Sequence, residues 1–346
     1  MLLTAITFLV ILTVLVLIHE FGHFLAARIV GVRVEEFGLG LPPQIWGKKF
    51  GETIYSLNWL PIGGFVRLSG EDAQQKGKPA KHLFWARSKK ERAVILTAGV
   101  LMNFLLAIGI TTFLLVHGVK EPSGRVHVEK IAAGSPAEKA GIQVGDVLLS
   151  YKTPKELIDF VNEEKGHEVI LEISRDTQQL ELSVVPRVEV PKGEGPLGVA
   201  ISDLELHSYS LSEAPGKAFV ITITRAKDML VSLGQTVWKL ATLQKLTAEV
   251  AGPIGIAQVT GQAVKFGWEA VLEFASILSL NLAVLNILPI PALDGGRVAF
   301  VVLEKLFRKR VNPVWERNAH QVGMVILLAL IVLVSINDIL RLARGG

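Results

Sequence analysis

The chain has 346 residues, 50% of them hydrophobic, with a mean hydropathy of +0.44 and a formal net charge of +4. Such an apolar composition excludes an ordinary soluble globular protein and points to several membrane spans with a soluble part. Cysteine is absent, which excludes disulfides, thiol chemistry and zinc ribbons, and no basic patch with interleaved aromatics offers itself to nucleic acid.

Met1–Ile18 carries no charged side chain over eighteen residues. At about 1.5 Å per residue that run spans roughly 27 Å, near the thickness of the hydrocarbon core. It lacks the basic n-region and small-residue cleavage site of a signal peptide, so a retained helix is expected. The helix continues into His19-Glu20-Phe21-Gly22-His23 and stays apolar to Arg28. Residues four apart on a helix share one face, about 6 Å apart. His19 and His23 can therefore hold one zinc ion, with Glu20 between them as acid/base. Ionisable groups at membrane depth are costly and mark function.

Gly31–Arg92 is rich in Gly, Pro and basic residues. Thr53–Trp59 reads as a strand and Pro61-Ile62-Gly63-Gly64 as its break, either in a hairpin dipping toward the site or in a plain cytosolic loop. Ala93–Val116 is uncharged over twenty-four residues and reads as the second span. Its Asn103 is expected in a helix–helix hydrogen bond.

From Lys120 the character changes. Arg125–Ile131, Asp146–Ser150, Glu168–Ser174 and Leu180–Val184 read as strands, and Ser135–Ala140 and Pro154–Asn162 as helices, the second capped by Thr153. They form one α+β module, residues 119–190. Its stretch Ala133–Ile142 followed by Val144-Gly145-Asp146-Val147-Leu148 resembles the signature of bacterial PDZ domains, which capture peptides by strand addition. Ser150-Tyr151-Lys152 stands where such domains usually carry an Asn-Gly turn.

Residues 191–268 are expected to be a linker with one amphipathic helix, whose apolar stripe runs from Phe219 to Leu240. Its charges argue against a span, so it lies on the membrane surface or packs on the bundle. Gly252-Pro253-Ile254-Gly255 reads as a tight turn. Phe274–Leu293 is uncharged over twenty residues and ends in Asp294-Gly295-Gly296, with Pro289 and Pro291 breaking or kinking its end. Asn318–Asn337 is the fourth uncharged run.

The expected fold is a polytopic α-helical membrane protein with four transmembrane helices (1–30, 93–116, 270–293 and 318–340) and an inserted extracytoplasmic α+β PDZ-like domain. Residues 1–118 and 269–346 make its membrane core. Loop 31–92 has eleven Lys/Arg against six acids and loop 297–321 six against two, whereas the module has nine against thirteen. The positive-inside rule then places both basic loops in the cytosol and the module outside. With that topology spans one and three both run inward, so His19, His23 and Asp294 reach the same side of the membrane. Two imidazoles and a carboxylate leave a fourth position open, the pattern of catalytic zinc, and the chemistry is peptide-bond hydrolysis. Asn286, two helical turns before Asp294, either binds substrate or serves structure alone.

The pentad, the run Asn286-Ile287-Leu288-Pro289-Ile290-Pro291-Ala292-Leu293-Asp294-Gly295-Gly296 and the inserted module together resemble the site-2 protease family of intramembrane zinc metalloproteases, in the bacterial regulator-of-sigma-factor form with a single PDZ domain. The family's second-span motif stands here as Ala98-Gly99-Val100 and Asn103-Phe104, with valine in place of proline. The resemblance implies His19, His23 and Asp294 as zinc ligands, Glu20 as acid/base and Asn286 as an aid to substrate binding. It implies a membrane-reentrant β-hairpin within residues 31–68 and a multi-pass location in the cell (inner) membrane, with the active site toward the cytosol. The implied partners are the lipid bilayer and single-span membrane proteins, often anti-sigma factors, already cut by another protease; nucleic acid is not among them. A membrane metal transporter with the same ligands is the alternative. It has no need of Glu20 or of a peptide-binding module.

Overall fold

In hydrocarbon every backbone N–H and C=O must be satisfied within its own segment, so long apolar runs fold as helices. The computed structural model describes residues 2–71, 80, 82–176, 178–242, 244 and 252–343. Among the described residues four helices are long and apolar enough to cross a membrane: Leu2–Val30, Lys89–His117, Trp268–Ile287 and Val314–Leu340. The chain divides into two units, Leu115–Ser210 and the remainder.

The membrane unit begins with α1 (Leu2–Val30), β1 (Val34–Phe50), β2 (Thr53–Leu68) and α2 (Lys89–His117). Of the two readings of loop 31–92, the hairpin is the one adopted. The break expected at Pro61–Gly64 is a bend within β2, whose pairing with β1 lapses after Leu60 and resumes at Gly64. Each strand bends back on itself, so that 34–39 pairs with 64–68 on one edge and with 54–57 on the other. Gly40 and Gly63 take φ of 78° and 83°, which let the ribbon turn without ending. Phe24 of α1 seats the hairpin, its ring 5.5 Å from Phe37 and 6.3 Å from Tyr55.

The second unit holds β3 (Val119–Ile131), α3 (Pro136–Lys139), β4 (Val147–Leu148), α4 (Pro154–Glu163), β5 (Val169–Arg175), β6 (Gln178–Val184) and β7 (Val199–His207). The sheet order is β6-β5-β4-β3-β7, antiparallel at every pairing. Alternation along β5 buries Val169, Leu171 and Ile173 against Leu157 and Val161 of α4. Thr153 caps α4 by accepting the Glu156 N–H, with Pro154 at the first position.

Two expectations are corrected here. The strand read as Asp146–Ser150 is only two residues long. Asp146 instead turns its buried carboxylate to the Gln143 N–H and to Arg175, each at 2.7 Å. Burial alone would raise that carboxyl, but the Arg175 guanidinium and the Gln143 N–H outweigh it and hold it below the usual range. The sheet also does not end before residue 191, because β7 pairs with β3 and supplies an edge strand. The Pro- and Gly-rich stretch 191–198 hid it. A cavity of about 440 Å³ lies between α4 and β7, lined by Leu157, Ile158, Val161, Leu197, Val199 and Ile201.

The membrane unit resumes with α5 (Ala214–Ala241), α6 (Pro253–Phe266), α7 (Trp268–Ile287), α8 (Asp294–Phe307) and α9 (Pro313–Ala343). α5 packs through Ala226, Met229 and Leu233 on Leu280 and Val284 of α7, so the helix joins the bundle, while Phe219, Ile223, Leu230 and Val237 of the stripe stay exposed. The stretch Gly252–Gly255 is no isolated turn but the start of α6. Buried Asp338 of α9 accepts the N–H groups of Gly252 at 3.0 Å and Gly255 at 2.8 Å, a cap supplied from another helix. The third span stops at Ile287 rather than at 293, since Leu288, before Pro289, is extended. A second helix, α8, then starts at Asp294 where a basic loop was expected.

Candidate metal centre

His19 and His23 lie one turn apart on α1 and are 7% and 8% exposed. Asp294 reaches them from the first turn of α8, half-buried. The three ligand atoms all lie within 4.8 Å of one another. His19 Nε2 is 2.9 Å from Asp294 Oδ2 and 3.2 Å from His23 Nε2, which is itself 3.3 Å from Asp294 Oδ2.

Hydrogen bonds behind the rings decide which nitrogens face the centre. His23 Nδ1 lies 2.8 Å from the Ile95 carbonyl, which only accepts, so Nδ1 carries the hydrogen and Nε2 bares its lone pair. His19 Nδ1 lies 3.4 Å from the side-chain amide of Asn103, which is fully buried and leaves Oδ1 without a partner among the described residues. The two ends of an amide have the same shape. With Oδ1 turned to the ring, His19 Nδ1–H donates to it and Nε2 is again free. Two lone pairs and a carboxylate oxygen then converge on one point, which only a cation relieves. Ligand atoms bound tetrahedrally at about 2.0–2.1 Å stand about 3.3 Å apart, close to the spacing here, so the residues fit zinc.

Glu20 is half-buried on a neighbouring face of α1, one residue from His19. The second half of β2 passes close by it, since a Cβ on Gly64 would lie 3.7 Å from Glu20 Cγ. Asn286 sits half-buried in the last turn of α7 and has no hydrogen-bond partner among the described residues. Among the described residues no hydrogen bond links its side chain to His19, His23 or Asp294. Asn103 bonds α2 to α1, as a helix–helix contact should, but does so at the His19 ring.

Spacing alone did not reveal Gly99 of α2. A Cβ there would overlap His23 Nε2 and lie 2.8 Å from His19 Nε2. The signal available was its place in the stretch Ala98-Gly99-Val100, four residues before Asn103.

The profile of peptidase family M50 matches residues 7–330. The chain is 34% identical over 333 residues to a Clostridium perfringens protein, covering 94% of this chain and 95% of that one. It is 29% identical over 423 residues to the zinc metalloprotease RasP of Oceanobacillus iheyensis, covering 98% and 99%. It is 28% identical over 424 residues to the regulator of sigma-W protease RasP of Bacillus subtilis, again covering 98% and 99%. These matches set the transporter alternative aside and leave zinc as the cofactor. The chain is a zinc metalloprotease with membrane-spanning helices and belongs to peptidase family M50, the site-2 proteases.

Proposed function

We propose that this enzyme hydrolyses peptide bonds within or near the membrane spans of single-span membrane proteins. The observation that carries the reading is the convergence of His19, His23 and Asp294 at one point among helices that read as spans. These three are the ligands. Zinc, when bound, acidifies the attacking water and polarises the scissile carbonyl. Glu20 takes the proton from that water and passes it to the leaving amine. Asn286, with its amide unengaged, holds substrate backbone.

A helical substrate hides its carbonyls in hydrogen bonds and must unwind to be cut. The strand segment 64–68 beside Glu20 has one edge unpaired among the described residues and offers that unwound backbone a partner. The α+β unit is PDZ-like and lies outside the cell. Its edge strand β7 and the apolar cavity against α4 suit an extended peptide, such as the new end left when another protease trims an anti-sigma factor.

Purified protein in proteoliposomes should cut a single-span reporter inside its apolar run, with product masses locating the bond. Asp294→Asn should lose both zinc and cleavage. Cuts confined to the soluble flanks, or zinc fully retained in that variant, would overturn the reading. For sidedness, single cysteines at Lys155 and Lys309 can be labelled on intact cells with a membrane-impermeant reagent, since the chain has no other thiol. Lys155→Cys should react and Lys309→Cys should not; the reverse pattern inverts the topology.

A further inference from the structure

The loop Leu288–Leu293 carries the chain from α7 to Asp294, and its shape is unusually constrained. Leu293 N–H donates to Ile290 O at 3.2 Å, and Ile290 N–H to Leu288 O at 2.7 Å. A Cβ on Gly295 or Gly296 would overlap the carbonyls of Leu288 or Ile290, so the loop lies directly on the first turn of α8. At its apex Ala292 has φ of 81°, a left-handed conformation that alanine does not adopt unaided.

The support comes from α9. Ala292 N–H donates to His320 Nδ1 at 2.9 Å. Three residues on, a Cβ at Gly323 would lie 2.5 Å from Pro291 O, so the backbone of the loop rests against bare helix. His320 and Gly323 share one face and together form a seat for the apex. Because Nδ1 accepts, the ring hydrogen sits on Nε2, which is buried without a partner among the described residues. What the ring contributes is therefore its acceptor, not a network.

We propose that His320 is a positioning residue that holds Asp294 at the metal centre by pinning Ala292, two residues before it. The proposal rests on the reading of Asp294 as a zinc ligand. Without the acceptor, Ala292 relaxes out of its left-handed conformation and the Asp294 carboxylate shifts with it. Groups that orient a ligand from behind typically change metal affinity by about 10–100-fold.

The test is the zinc dissociation constant of the full-length protein in detergent, by chelator competition, with the visible spectrum of the cobalt-substituted form as a second readout. Asparagine can place Oδ1 where Nδ1 stood, whereas glutamine carries its oxygen one bond further, so the pair separates the acceptor from polarity and bulk. His320→Asn should bind zinc within about threefold of wild type, and His320→Gln and His320→Leu at least about tenfold more weakly with altered cobalt spectra. If His320→Leu fails to fold, the Asn–Gln pair still decides. Wild-type affinity in the Gln and Leu variants, alongside loss of zinc in Asp294→Asn, would overturn the role of His320 and leave the ligand reading standing. Equal losses in the Asn and Gln variants would make the cause the ring's bulk against Phe300, whose ring centroid lies 5.7 Å from that of His320, and sink the acceptor argument. Zinc retained by Asp294→Asn would remove the ligand reading and the proposal with it.

Discussion

Replacing Glu20 by glutamine should leave zinc bound and lower cleavage of a single-span substrate by about a thousandfold or more. Gln is isosteric with Glu, and Glu20 is not one of the three converging side chains, so the candidate centre keeps its donors. On the proposed mechanism the variant loses the capacity to take a proton from water and return it to the departing amine. Zinc content would be measured by atomic absorption on the same sample used for the cleavage assay. Activity within tenfold of wild type would assign the proton transfer to another group. Loss of zinc together with activity would make Glu20 a structural member of the centre.

Gly99→Ala is expected to act by a different route, on zinc affinity. The atoms that the new methyl would strike are the ends of two imidazole rings, which can turn away. The fold therefore survives, and the cost falls on the convergence of Nε2 atoms. Zinc affinity should drop on the order of 100-fold, at the upper end of what disturbed ligand orientation produces. Gly22 provides the contrast, because a Cβ there would overlap the Ala98 carbonyl on α2 and force the two helices apart. Gly22→Ala should accordingly lower the melting temperature as well as zinc binding. Gly109 lies on the same helix as Gly99 with nothing within 4 Å of an added Cβ, and Gly109→Ala should change neither. Zinc binding of Gly99→Ala equal to that of Gly109→Ala would show that the rings have room to spare.

The sequence by itself determined the features whose physics is local. Uncharged runs announced four helices long and apolar enough to span, because hydrocarbon permits only helices there, and the spacing of His19 and His23 put both imidazoles on one face of α1. The capping of α4 by Thr153 and Pro154 was legible for the same reason, since a cap and its N–H donors lie within one turn. Tertiary structure decided whatever depends on a partner far along the chain. Asp294 meets His19 across 275 positions, and His23 is set by a carbonyl 72 positions away. The start of α6 looked like a turn because its cap, Asp338, belongs to a helix 86 residues on. The strand β2 bends at Pro61–Gly64, where its pairing lapses, and resumes because β1 pairs with it again from Gly64 on. Gly99 matters only because two rings from another helix occupy the space its missing Cβ leaves, and His320 only because the apex of a distant loop needs an acceptor. Local pattern names the donors and the helices that carry them; close packing between helices decides which donors face one another.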